Sequence, residues 1–88
     1  MVSESHAEYH ARRHATAAAE GDIIAAKSGD QSREEARQCA ITSVEMIYRQ
    51  WSRTCSRPLE IPKGVYESIE QVLQKHYGKA PAKSKKQA

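Results

Sequence analysis

Three histidines, His6, His10 and His14, recur at four-residue spacing near the start of the chain. Residues four apart on a helix are neighbours, so adjacent pairs could share a metal ion through their imidazole nitrogens. His6 and His14 would lie about 12 Å apart along a helix axis, too far for all three to bind one ion. A full site needs a further ligand. If the first half of the chain is an antiparallel hairpin about Ser28-Gly29-Asp30, His6 faces the stretch Arg53–Cys55. His6, His10 and Cys55 then make an incomplete zinc site. The same imidazoles titrate near neutrality and offer a pH-sensitive contact. The plainer reading is a polar helix face that carries histidines, since no C-x-x-C or H-E-x-x-H accompanies them. The sequence therefore assigns no metal and no cofactor, with His6, His10 and Cys55 as the candidates to check.

A second group is cationic. Arg49, Arg53 and Arg57 stand four apart, which on a helix puts three guanidinium groups on one face. They suit phosphate contacts to nucleic acid or an acidic partner. They also suit a solvated face that complements the negative end of a helix, with Glu45 one turn before Arg49. Just upstream, Thr42-Ser43-Val44-Glu45 has capping-box form, with Ile41 and Met46 at staple positions. Together with Glu34-Glu35-Ala36, this segment resembles a helix-turn-helix motif over about 20 residues. The resemblance implies a recognition helix Ser43–Arg53 that offers Ser43, Arg49, Gln50 and Arg53 to DNA. Two residues depart from the motif: Ala40 stands where the turn has Gly, and Arg49 stands where an apolar residue is buried. One uninterrupted helix is the preferred reading.

Catalysis has no comparable footing. The four glycines are scattered rather than gathered in a phosphate loop, and no Ser/His/Asp spacing nominates a nucleophile. Glu34-Glu35 fits the first turn of a helix better than an acid pair.

These residues must be held by helices. There is no Pro before Pro58, and the first half is rich in Ala, Glu, Arg and Gln. Ser5 and Glu8 have capping-box spacing, and a first helix is expected from about residue 4 to residue 20. It either breaks at Gly21 or continues to about residue 26. On a 100° wheel, His6, His10, His14, Ala17, Ala18, Gly21, Ile24 and Ala25 share a side, and Ala7 and Ala11 extend it. That face is small and adds little bulk to a core. Asp30 or Ser32 is expected to cap the next helix. There Ala36, Ala40, Val44, Ile47, Trp51 and Cys55 share an arc, widened by Ile41 and Tyr48. Arg57-Pro58 ends it. Leu59 and Ile61 anchor a short connector, and a third helix runs from about residue 62 to residue 77, with Gly78 as its stop.

The expected fold is all-α, a small three-helix domain over residues 1–77: an N-terminal helical hairpin plus a C-terminal amphipathic helix. The third helix is expected to pack Val65, Ile69, Val72 and Leu73 on the Val44/Ile47/Trp51 arc. Residues 78–88 read as a disordered Lys-rich tail. Up to Tyr77 there are ten Lys/Arg against eleven Asp/Glu, so the net charge of +3 comes from the four lysines beyond. Two cysteines make no disulfide framework, and no stretch has the form of a signal peptide or a membrane span. A soluble, cytoplasmic chain is expected. With no Phe and one Trp in 88 residues, the core is thin, and self-association into a dimer or higher form is the natural remedy. The leading expectation is a non-enzymatic helical interaction module, a regulator or adaptor that binds a protein partner or itself. The alternative is a small DNA- or RNA-binding protein that uses Ser43, Arg49, Gln50, Arg53 and Arg57, together with the Lys-rich tail.

Overall fold

Ser5 opens the first helix. In the structure, a computed structural model that describes residues 5–78, the Ser5 hydroxyl accepts from the Glu8 amide at 3.1 Å. The Glu8 carboxylate accepts from the Ser5 amide at 2.8 Å, which completes the capping box. Helix α1 spans His6–Ser28 and passes through Gly21 without a break. Ser32 and Glu35 form the same reciprocal pair at the start of α2, Arg33–Thr54. Pro62 precedes α3, Lys63–Tyr77, and Gly78 ends it at φ 82. There is no corner at Ala40–Ser43: the backbone there is helical, so the segment holds no separate recognition helix.

Both long helices stop in the same way. After α1, the Asp30 amide donates to Lys27 and the Gln31 amide to Ala26, with Asp30 left-handed at φ 60. After α2, the Ser56 amide donates to Arg53 and the Arg57 amide to Ser52, with Ser56 at φ 59. Each pair of bonds is a Schellman stop, built on a residue other than the usual glycine. These stops satisfy carbonyls that a helix end would otherwise leave open. Ser52 then ties down the exit strand: its hydroxyl donates to the Tyr48 carbonyl and accepts from the Leu59 amide at 2.9 Å. Leu59 is buried and Ile61 packs against the core, so the connector closes one end as expected.

α1 and α2 run antiparallel. The His10 ring lies against Trp51 at one end, and Asp22 accepts from the Ser43 hydroxyl further along. The buried face of α1 is Ala11, Ala15, Ala19, Ile23 and Ala26. This corrects the expectation for α1 in part: of the histidine-bearing arc only Ala11 is buried, with Ala7 packed against the core, and the histidines lie off it. On α2 the buried residues are Ala36, Ala40, Val44 and Tyr48. Trp51 and Ile47, expected at the centre, are only half-buried, and Tyr48 takes the central place at 3 % exposure. α3 buries Val65, Ile69 and Leu73 against both helices; Thr16 and Ala19 of α1 adjoin Val65, Ile69 and Val72. It therefore rests on the hairpin as a whole rather than on α2 alone. Alanines let α1 come close, but the largest fully enclosed side chains are just Ile23, Leu73, Val44 and Val65.

Two arginines fix α3 to α2. Arg37 Nε donates to Glu70 Oε2 at 2.7 Å, and Arg33 donates to Oε1 at 3.1 Å. At the hairpin's turn, the Tyr77 hydroxyl donates to the Gln31 carbonyl and the Lys27 ammonium lies over the Tyr77 ring. The expected Lys-rich tail, from residue 79 on, lies outside the described residues.

Candidate functional site

The arginine ladder is not a ladder in the folded chain. Arg49 and Arg53 stand exposed on α2, but Arg57 lies beyond the Ser56 stop. It turns back to the start of α1, where its guanidinium donates to the Ser5 hydroxyl at 2.9 Å and pairs with Glu8 at 3.8 Å. The Ser5 amide and hydroxyl, opposed by desolvation and helped by the Arg57 charge, hold the Glu8 carboxyl below the usual carboxylate range. Ser43 is also occupied, because its hydroxyl is given to Asp22. Of the residues proposed for nucleic acid, Arg49, Gln50 and Arg53 remain exposed together. Among the described residues neither Arg49 nor Arg53 is in an ion pair, and the local pair with Glu45 is not formed.

The histidines pack on one another and on the indole. His6 and His10 meet edge to face at 4.4 Å between ring centres, and His10 stacks on Trp51 at 6.1 Å and 12°. Cys55 directs its thiol at the Ser52 and Arg57 carbonyls. Among the described residues no three His, Cys, Asp or Glu side chains come together as a metal ligand set. The candidates to check, His6, His10 and Cys55, stand in a ring stack and at a capped helix end. Both thiols are free, and Cys39 is exposed.

What the folding does gather is an open face on the hairpin. α3 covers one side of the α1–α2 pair. On the other side, His14 of α1 and Ile47, Gln50, Trp51 and Thr54 of α2 line a groove of about 200 Å³. It continues into a second groove of about 230 Å³ over Ser43, Met46 and Ile47, with Arg49 and Arg53 on its rim. No residue of α3 lines either one. The α1 side of this face is small: beside His14, Gly21 and Ala25 are exposed and Ala18 is half-buried, while Ala17 is exposed at its edge and also lines a groove with Gly64, Val65 and Ser68 of α3. The α2 side carries the bulk, with Met46 59 % exposed beside Ile47 and Trp51. Ile24 adds a further exposed apolar side chain at 44 %. The α1 residues come from the arc that the sequence assigned to that helix, Ile47 and Trp51 from the arc assigned to α2, and Met46 from outside it. Their spacing was visible in the sequence, but which way each helix turned them was not.

Chemically, this surface has no nucleophile–base pair and no gathered carboxylates. It can offer apolar area, ring edges, one amide and two peripheral guanidinium groups. Among the described residues, no helix is long and apolar enough to cross a membrane. Comparison with known proteins gives no relative: no family model, no curated protein and no solved structure matches the chain significantly.

Proposed function

We propose that the protein is a small, non-enzymatic helical interaction module that takes a partner protein on the open face of its α1–α2 hairpin. One observation carries this reading: Met46, Ile47 and Trp51 form a continuous apolar strip that α3 leaves uncovered. Exposed apolar patches of this kind, rimmed by polar groups, mark contact surfaces. A long helix pair with a shallow groove is suited to receive another amphipathic helix, whose apolar side chains enter at turn spacing. Arg49 and Arg53 on the rim favour a partner with acidic groups beside its apolar stripe.

The nucleic-acid reading has less support. It counts on a helix-turn-helix corner, on three aligned arginines and on the Lys-rich tail, which lies outside the described residues. The corner is continuous helix, and Arg57 is engaged at the start of α1. Two arginines on a rim give a small phosphate footprint, since each contact contributes one step of salt-dependent affinity.

Selection from a displayed library of amphipathic helical peptides tests the module. Peptides enriched on the full chain should lose binding to Met46→Glu at least tenfold, with helicity unchanged. Equal retention by the Met46→Glu variant would exclude this face. Saturable binding to duplex DNA or single-stranded RNA at about 0.15 M salt, lost on Arg49→Ala with Arg53→Ala, would replace the module with the nucleic-acid reading.

A further inference from the structure

We infer that the occupant of the open face is a second copy of this chain, packed hairpin on hairpin with α3 outermost in each copy. This rests on the docking role of that face and adds the identity of the partner. Three features argue for self-association.

The first is shape. His10 stands beside Trp51 and Asp22 beside Ser43, so Met46 is level with the turn of α1 between Ala17 and Gly21. A twofold axis lying in the interface and parallel to the helices places α2 of one copy over α1 of the other without sliding either. Met46 and Ile47 of each copy then meet the Ala18 and Gly21 surface of the other, with Ala17 at its edge. An added Cβ at Gly21 would meet nothing within 4 Å inside its own chain, so the hollow there faces outward. Bulk on one helix and hollow on its neighbour, at the same level, is what an isologous contact requires.

The second is area. α1 and α2 have 23 and 22 residues, which makes each about 33–35 Å long at 1.5 Å per residue. Two helices side by side at 8–10 Å present a face roughly 18–20 Å wide. The footprint is therefore about 600–700 Å², close to the ~800 Å² per partner of a standard stable interface.

The third is charge. Residues with formal charge make up 28 % of the chain, yet the strip between Ala17 and Gln50 carries none. Asp22 lies beneath it, engaged with Ser43. The strip itself therefore meets its own copy without like-charge repulsion, with Arg49 and Arg53 at the rim. The thin core adds a reason for the contact, because chains of this size commonly gain stability by oligomerising.

Sedimentation equilibrium of the full chain from 5 to 200 µM tests the assignment. The wild type should approach twice the chain mass of 9.9 kDa within that range. Gly21→Glu and Met46→Glu should each halve the apparent mass. Gly21→Glu is the decisive variant, since replacing glycine inside a helix favours folding and loss of association cannot then come from unfolding. Tyr66→Lys, on the far side of α3 beside Lys63 and Glu67, should leave the mass unchanged. A wild type that stays at one chain mass at 200 µM overturns the second copy; if it still selects helical peptides through Met46, the module stands with another occupant. A monomer that selects none removes both. A dimer that survives Gly21→Glu and Met46→Glu together also overturns the assignment.

Discussion

Removing Glu70 should cost more than removing Arg37, the more exposed of the two arginines that hold it. Glu70 accepts from Arg37 Nε at 2.7 Å and from Arg33 at 3.1 Å. The environments of the two arginines differ. The Arg33 side chain is 18 % exposed and its Nε is buried with no hydrogen-bond partner; the Arg37 side chain is 37 % exposed. Glu70→Gln would leave the Arg33 charge enclosed without its counter-ion, a situation costlier than losing a pair in water. Arg37→Met leaves Glu70, 45 % exposed, with Arg33 still bound. Allowing for solvent screening at a half-exposed carboxylate, Arg37→Met should cost about 0.5–1 kcal/mol. Glu70→Gln should cost about 1.5–2 kcal/mol. In a domain this small each kcal/mol is about 4–8 °C in Tm, so the two variants should separate clearly. The assay is urea unfolding of the single and double variants, with Trp51 fluorescence and far-UV circular dichroism as independent probes. pH supplies a second arm. Desolvation pushes the Glu70 carboxyl up, but the hydrogen bonds and charges of Arg37 and Arg33 outweigh it and set it below its ordinary value. A carboxyl lowered on folding contributes stability that is fully present above its unfolded pKa and is lost as pH falls through the folded one. The difference between wild type and Glu70→Gln should therefore be constant near neutrality and shrink below about pH 4. A Glu70→Gln cost no larger than that of Arg37→Met, or a difference that does not change with pH, would refute the reasoning.

Further outcomes follow from the backbone. Gly21→Ala should raise stability by up to about 1 kcal/mol, read as a higher urea midpoint, because the position is helical and an added Cβ meets nothing within 4 Å. Ser56→Gly should also stabilise, by roughly 1 kcal/mol, since Ser56 sits left-handed at φ 59 in a position where glycine has no Cβ penalty; thermal melts read both. Ser52→Ala should lose about 1–2 kcal/mol, because the buried Leu59 amide loses its acceptor. Faster hydrogen exchange at the Leu59 amide would show that the loss is local.

Much of the scaffold could be read from residue types. Ser5/Glu8, Pro62 and Gly78 carry local signals whose meaning does not depend on tertiary contacts, and they mark helix ends in the structure. The facing of α1 was not readable in the same way. Its sequence holds two small arcs, one with the histidines and one with Ala11, Ala15, Ala19 and Ala26, and small residues dominate both. Ile23 decides between them, yet adjacent Ile24 points to the other arc, so hydrophobicity alone leaves a near tie. On α2 the single Trp drew attention to Trp51. The centre is Tyr48, one helical turn before Ser52, and Trp51 moves to the edge to stack on His10. Ser56 is left-handed without being glycine, so no residue type signals that the chain turns before Arg57. The Arg33–Glu70 and Arg37–Glu70 pairs join positions 37 and 33 residues apart and depend on how α3 lies across the hairpin. No local pattern carries that information.

The account centres on one surface, the face of α1 and α2 that α3 leaves open. Isotope-filtered NOE spectroscopy on an equimolar mixture of labelled and unlabelled full-length chains examines it directly. The account predicts intermolecular contacts from the Met46 and Ile47 methyl groups to Ala17, Ala18 and Gly21, and none to Tyr66. Intermolecular contacts confined to Tyr66 or the outer face of α3, or none at 1 mM chain where the interface should be filled, would contradict it.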